Sequence, residues 1–450
     1  MNTQLALCSN KIVTPNEIRN GAILITEGKI VDVVSTNEIP SHFIIENIGE
    51  LVASPGLVDS HVHINEPGRT DWEGFETATK SAAVGGITTL VDMPLNSSPV
   101  TTTREALQKK VEAAKGKIFV DCGFYAGVIP GNTNELQPLI DAGVLGVKAF
   151  LVHSGIDDFP NVTEQDLRRG ILIIAKNNVP LLVHCELQQE TENRKAETLS
   201  SSVSYQNYLY SHPRKWENDA IALMIQLSDE YKCKTHIVHL SSSDAIEMLS
   251  GAKRRTSLLT VETCPHYVYF SAEEIPDGAT QYKCAPPIRE KENKEQLWNA
   301  LRNGIIDFIV SDHSPCPPEM KLLGEGHFIK AWGGIASLQL GLSIVWSEAQ
   351  RRNFSLTHIS QWMSERPAEF IGLGKSKGKI AKGYDADIVI WNPEKSFVVK
   401  KENIFHKHKL TPYEGRTLQG CVEKTFLRGQ KVFEDGNIVS EPVGRIILRH

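Results

Sequence analysis

Six residues in this chain are suited to metal chemistry: His61, His63, Lys148, His184, His239 and Asp312. His61 and His63 stand at i and i+2 beyond the apolar run Gly56-Leu57-Val58. An extended strand points such a pair to one face. His184 closes Leu181-Leu182-Val183, His239 closes Ile237-Val238, and Asp312 closes Ile309-Val310-Ser311. Taken singly, each reads as a satisfied polar residue at the end of a strand. Arriving together at matching strand ends, they read as a ligand set. Imidazole and carboxylate donors suit divalent Zn, Fe, Co or Mn, with Zn the first expectation.

Lys148 sits in Leu145-Gly146-Val147-Lys148-Ala149-Phe150, where an unpaired ammonium is costly. Three states are open to it. Its pKa can fall until the amine is neutral, the amine can combine with CO2 to give an anionic carbamate, or the side chain can snorkel to the rim. The carbamate can bridge two cations. In that case one metal takes His61, His63, Lys148 and Asp312, and the other takes Lys148, His184 and His239. Two metals about 3.5–4 Å apart, sharing a hydroxide, would hydrolyse an amide. Asp312 would serve as general base and then as acid to the leaving nitrogen.

The elements that must hold these residues alternate. Candidate strands cover 56–63, 87–93, 118–125, 145–151, 180–186, 235–241, 259–266 and 308–312. Helical patterns cover 72–84, 104–114, 164–177, 217–231, 243–252, 292–303 and 335–351, the first closed by Gly85-Gly86. Strands alternating with helices predict an α/β protein, a (β/α)8 TIM barrel, with a doubly wound open sheet as the alternative. The two ends differ from the middle. Residues 5–52 and 378–436 read as short strands around glycine turns. The expectation is a small β-sandwich domain assembled from residues 1–53 and 376–450, flanking a catalytic barrel over 54–375.

Composition narrows the class. At 450 residues and 41% hydrophobic content the chain can bury a large core. A net charge of -6 offers no electrostatic reason to expect nucleic acid or an anionic membrane as partner. No apolar run is long enough to cross a bilayer, and no secretory leader pattern is visible. A soluble cytoplasmic protein is expected, with organelle import left open. The eight cysteines include no C-x-x-C pair, which argues against a disulfide framework and a cysteine-rich zinc site.

The run Gly56-Leu57-Val58-Asp59-Ser60-His61-Val62-His63 resembles the opening signature of the cyclic amidohydrolases, the family of dihydroorotases, hydantoinases and allantoinases. The resemblance extends over nearly the whole chain. It implies that His61, His63, His184, His239 and Asp312 are metal ligands and that Lys148 is an N6-carboxylysine. Within the family the likeness is greatest to the allantoinases, which open the hydantoin ring of allantoin to allantoate in purine breakdown. It is carried by residues 63–69, 72–74, 93–96, 262–267, 283–289, 311–321 and 331–336. It implies a small-molecule substrate, allantoin, and a homo-oligomer, a tetramer or dimer.

Dihydroorotases typically place an arginine two residues after the second histidine, where it pairs with the substrate carboxylate. This chain has Asn65 there, which suits a neutral ureido or ring carbonyl group. Asn65, Asn96, Ala285 and Ser314 are the substrate-contact candidates. Ala285 departs from the family, which often has Ser or Asn before Pro-Pro. A hydantoinase, a dihydropyrimidinase or a divergent dihydroorotase is the alternative reading. A catalytically dead scaffold is disfavoured, because all six metal positions are retained. His266 is expected to face substrate or to support the metal ligands, and His313 to pack. By strand parity His236 is expected to face the helix layer, and the run 400–409 to lie in solvent.

Overall fold

The computed structural model describes residues 4–188 and 201–449. Eight short strands, each buried along most of its length, form the centre: β1 Leu57–Val62, β2 Ile87–Asp92, β3 Asp121–Phe124, β4 Val147–Phe150, β5 Leu181–His184, β6 Thr235–Ile237, β7 Leu259–Thr263 and β8 Phe308–Ile309. Neighbours pair in parallel from β1 to β3 and from β4 to β8. Between β3 and β4 the continuation Ala126–Gly127 pairs with Val147 and Lys148. The ring closes where Val62 meets His313 in a parallel bridge and the His63 N–H donates to the His313 carbonyl at 2.9 Å. This is the (β/α)8 barrel, and strands covered on both faces explain why nearly every strand residue is buried, the polar ones included.

Helices follow the strands, as at Phe75–Val84, Arg104–Ala114, Glu164–Lys176 and Arg214–Tyr231. The helix Thr133–Asp141 was not expected from periodicity, because Pro138 interrupts its pattern. All eight strands are shorter than the candidate runs, and three of the early stops bear on the site. The run 235–241 is a strand only to Ile237, and 308–312 only to Ile309. The run 259–266 stops at Thr263, and Pro265 opens the short helix Pro265–Tyr269. Beyond the first two stops, His239 and Asp312 adopt left-handed backbones, with φ of 39° and 45°.

The terminal strands form one nine-stranded sheet in which Val52–Pro55 joins the N-terminal strands to Ile388–Val398 from the other end of the chain. One of its faces packs Leu7, Ile23, Ile25, Ile388, Ile390 and Phe426 together. Ile446–Ile447 lies outside that sheet and pairs in parallel with β3. Buried Lys377 joins the two regions, 2.8 Å from Asp121 of β3 and 2.5 Å from Asp387.

Candidate metal centre

The C-terminal ends of the barrel strands bring the six metal-type residues to one place. His61 lies on β1 and His63 just past it; Nε2 of each is 3.2 Å and 3.4 Å from Oδ1 of Asp312. These three residues, His61 and His63 buried and Asp312 partly so, form a group whose ligand atoms lie within 4.8 Å of one another. The His239 ring is centred 5.5 Å from that of His61 and 4.6 Å from that of His184. His184 stacks on Phe150 at 4.6 Å, and its Nε2 is 2.8 Å from Glu186 Oε2.

Lys148 projects into this group from β4. It is fully buried, and its Nζ has no hydrogen-bond partner among the described residues, lying 4.9 Å from the Phe150 ring. Burial brings its pKa down to about 8 against the pull of Glu262 and Asp312. Snorkelling is therefore not the state adopted. Burial alone would raise the Asp312 carboxyl, but the imidazoles of His61, His63 and His239 outweigh it and hold Asp312 below the usual carboxylate range. Nδ1 of His239 is likewise buried without a partner among the described residues. Orphaned nitrogen donors beside an ionised carboxylate fit a divalent cation set.

The surrounding loops are pinned from below. Asp92, at the end of β2, accepts the Ile64 N–H at 2.8 Å and pairs with fully buried Lys110 at 2.6 Å. Asp59 on β1 accepts the N–H groups of His61 and Ser311, tying β1 to the strand end that carries Asp312.

The four substrate-contact candidates all lie in loops. Asn65 and Asn96 are buried with left-handed backbones, φ 67° and 68°. The Asn65 amide donates to the Pro315 carbonyl at 3.3 Å, leaving its Oδ1 without a partner among the described residues. Asn96 holds His63 through a 3.3 Å contact between Nδ2 and Nδ1. Ala285 opens the Ala285–Pro286 turn beneath Gly333. Ser314 is packed against Gly334, where any Cβ would strike its backbone oxygen.

Several sequence readings are corrected here. His236 does not face the helix layer; it is fully buried against Glu262 and stacks on Phe308. Parity counted back from His239 fails because the chain has left the strand before reaching it. His406 is not solvated. It is buried edge-on to His313 at 5.3 Å, while the Lys407 N–H donates to buried Glu73. His313 does pack, with Nδ1 accepting the N–H of Ser337 and Nε2 lying 3.4 Å from Glu73. His266 sits on a helix rather than a strand, fully buried, with neither ring nitrogen partnered among the described residues. Sequence reasoning missed Glu262 as a partner of His61. An acid inside an apolar strand is itself a signal, since such a group is buried only when paired.

The Amidohydrolase family matches residues 52–432, and the chain belongs to that family. The relatives it resembles are more particular. It is 45% identical to an allantoinase of Streptomyces avermitilis, covering 99% of each chain. It is 44% identical to an allantoinase of Arabidopsis thaliana, over 98% of this chain and 90% of that one. An allantoinase of Saccharomyces cerevisiae is 42% identical, over 95% and 93%. Among solved structures, the L-hydantoinase (dihydropyrimidinase) of Arthrobacter aurescens superposes with a TM-score of 0.93 at 29% identity, covering 100% of both chains. A dihydropyrimidinase of Brevibacillus agri gives 0.90 at 27%, covering 99% of each. Among the described residues no helix is long and apolar enough to cross a membrane.

Proposed function

We propose that this chain is an allantoinase, hydrolysing the hydantoin ring amide of allantoin to allantoate. The observation that carries the reading is likeness to allantoinases of a bacterium, a plant and a yeast at 42–45% identity over 95% or more of this chain. His61, His63 and Asp312 would hold one divalent ion and His184 and His239 a second, with carboxylated Lys148 shared between them. Zinc is our assignment. The ions supply polarisation of the ring carbonyl and a water made acidic enough to attack near neutral pH.

The chain's own residues do the rest. Burial favours the neutral Lys148 amine, which is the form that adds to CO2 and releases a proton. Asp312, kept ionised by the neighbouring imidazoles, takes a proton from the attacking water. It then delivers that proton to the ring nitrogen that leaves. Asn65 presents a neutral carboxamide whose Oδ1, without a partner among the described residues, can accept an N–H of a ureido group. Arg69, in the same loop, is committed to the carbonyls of Asn96 and Ser97 and to Asp158, so it offers no fork to a substrate carboxylate. The reading predicts allantoate when the protein, loaded with zinc and bicarbonate, is given allantoin. A loaded protein that leaves allantoin intact would end it.

A further inference from the structure

Glu262 lies within β7, fully buried, and no step of the hydrolysis uses it. A carboxylate in such a place is costly unless donors meet it. Its Oε1 is 2.5 Å from Nδ1 of His61 and 3.3 Å from the backbone nitrogen of His239. Its Oε2 is 2.9 Å from Nε2 of His236.

The tautomers follow from the acceptor. Oε1 faces an imidazole nitrogen and a backbone N–H, and Oε2 faces a second imidazole nitrogen, so both oxygens accept; His61 then carries its proton on Nδ1 and turns a bare Nε2 towards Asp312. His236 carries its proton on Nε2, and its Nδ1 accepts from the Thr260 hydroxyl at 2.8 Å. The His239 contact fixes a backbone held at φ 39°.

We propose that Glu262 is the positioning residue for both halves of the metal centre. Through one oxygen it orients the His61 ring, a ligand of the first proposed ion. Through the same oxygen it anchors the backbone of His239, a ligand of the second. Thr260 and His236 set the direction of its other oxygen. This rests on the metal assignment above. Supporting partners of ligating histidines are worth about 10- to 100-fold in metal affinity.

Glu262→Gln keeps the shape but replaces one acceptor by a donor. An amide cannot accept from His61 at one end and His236 at the other, so one imidazole must change tautomer. His236→Phe removes one donor and keeps a ring between Phe308 and Phe370. The test loads wild type and both variants with zinc and bicarbonate. It then measures zinc per chain after gel filtration, the rate of zinc release to a chelator, and the melting temperature of the metal-free proteins. The expected result is two zinc per wild-type chain, release about 10-fold or more faster from Glu262→Gln, and release several-fold faster from His236→Phe. Should Glu262→Gln fail to fold, His236→Phe decides. Wild-type retention and release in the variants, or a lower melting temperature with unchanged release, overturns the role of Glu262. A wild-type chain that binds no zinc overturns the metal centre itself.

Discussion

Replacing Lys148 with methionine separates the cost of this side chain from its use. The fold holds the amine 4.9 Å from the Phe150 ring with no hydrogen-bond partner among the described residues. Its pKa falls from 10.5 to about 8, with burial the largest cause. At about 1.4 kcal/mol per pH unit, that fall costs the protonated fold about 3 kcal/mol. The sign is set by linkage: the penalty is complete below pH 8, shrinks as pH rises, and is gone above the unfolded pKa of 10.5. Methionine is similar in length and carries no charge. Metal-free Lys148→Met is therefore expected to be more stable than metal-free wild type by about 2–3 kcal/mol at pH 7, with the gap closing near pH 10. The same variant is expected to lose the second metal and its activity. Urea denaturation of chelator-treated proteins at the two pH values, with zinc analysis of the loaded ones, checks both parts. A variant no more stable than wild type at pH 7 would refute the reasoning, because the amine would then not be held as an uncompensated buried charge.

Lys110 provides the opposite case. It is equally buried but paired with Asp92, so Lys110→Met strands a carboxylate and is expected to destabilise the protein by about 3–5 kcal/mol in urea denaturation. Asp312→Asn keeps the side-chain shape but cannot take the proton; kcat on allantoin is expected to fall about 100- to 10,000-fold in steady-state assays of the zinc-loaded protein. Near-normal turnover there would remove Asp312 from the proton path.

What was legible in the sequence was whatever a strand end encodes locally. His61, His63, His184 and Asp312 could be found because each follows a short apolar run, and the barrel places such ends on one face. Lys148 stood out because an amine inside an apolar strand has few stable states. What was not legible depends on where the chain leaves the strand. The left-handed turns at His239 and Asp312 are invisible to a two-residue period, so the parity of His236 was misjudged. Contacts between distant segments were hidden for another reason. Glu262 meets His61 across 201 positions, and Lys407 meets Glu73 across 334. Neither pairing leaves a local pattern. His406 shows the same limit: a run of lysines and histidines reads as solvated until the segment is seen folded over the loop that carries Glu73.

The most direct test is a comparison of kcat/KM for allantoin, a 5-substituted hydantoin and dihydroorotate, using wild type loaded with zinc and bicarbonate. The neutral carboxamide of Asn65 and the committed guanidinium of Arg69 leave a substrate carboxylate unpaired, at a cost of about 3 kcal/mol or more. Allantoin is therefore expected to exceed dihydroorotate by about 100-fold or more, and to be preferred over the hydantoin. Turnover of dihydroorotate or the hydantoin at a rate equal to or above that of allantoin would contradict the account.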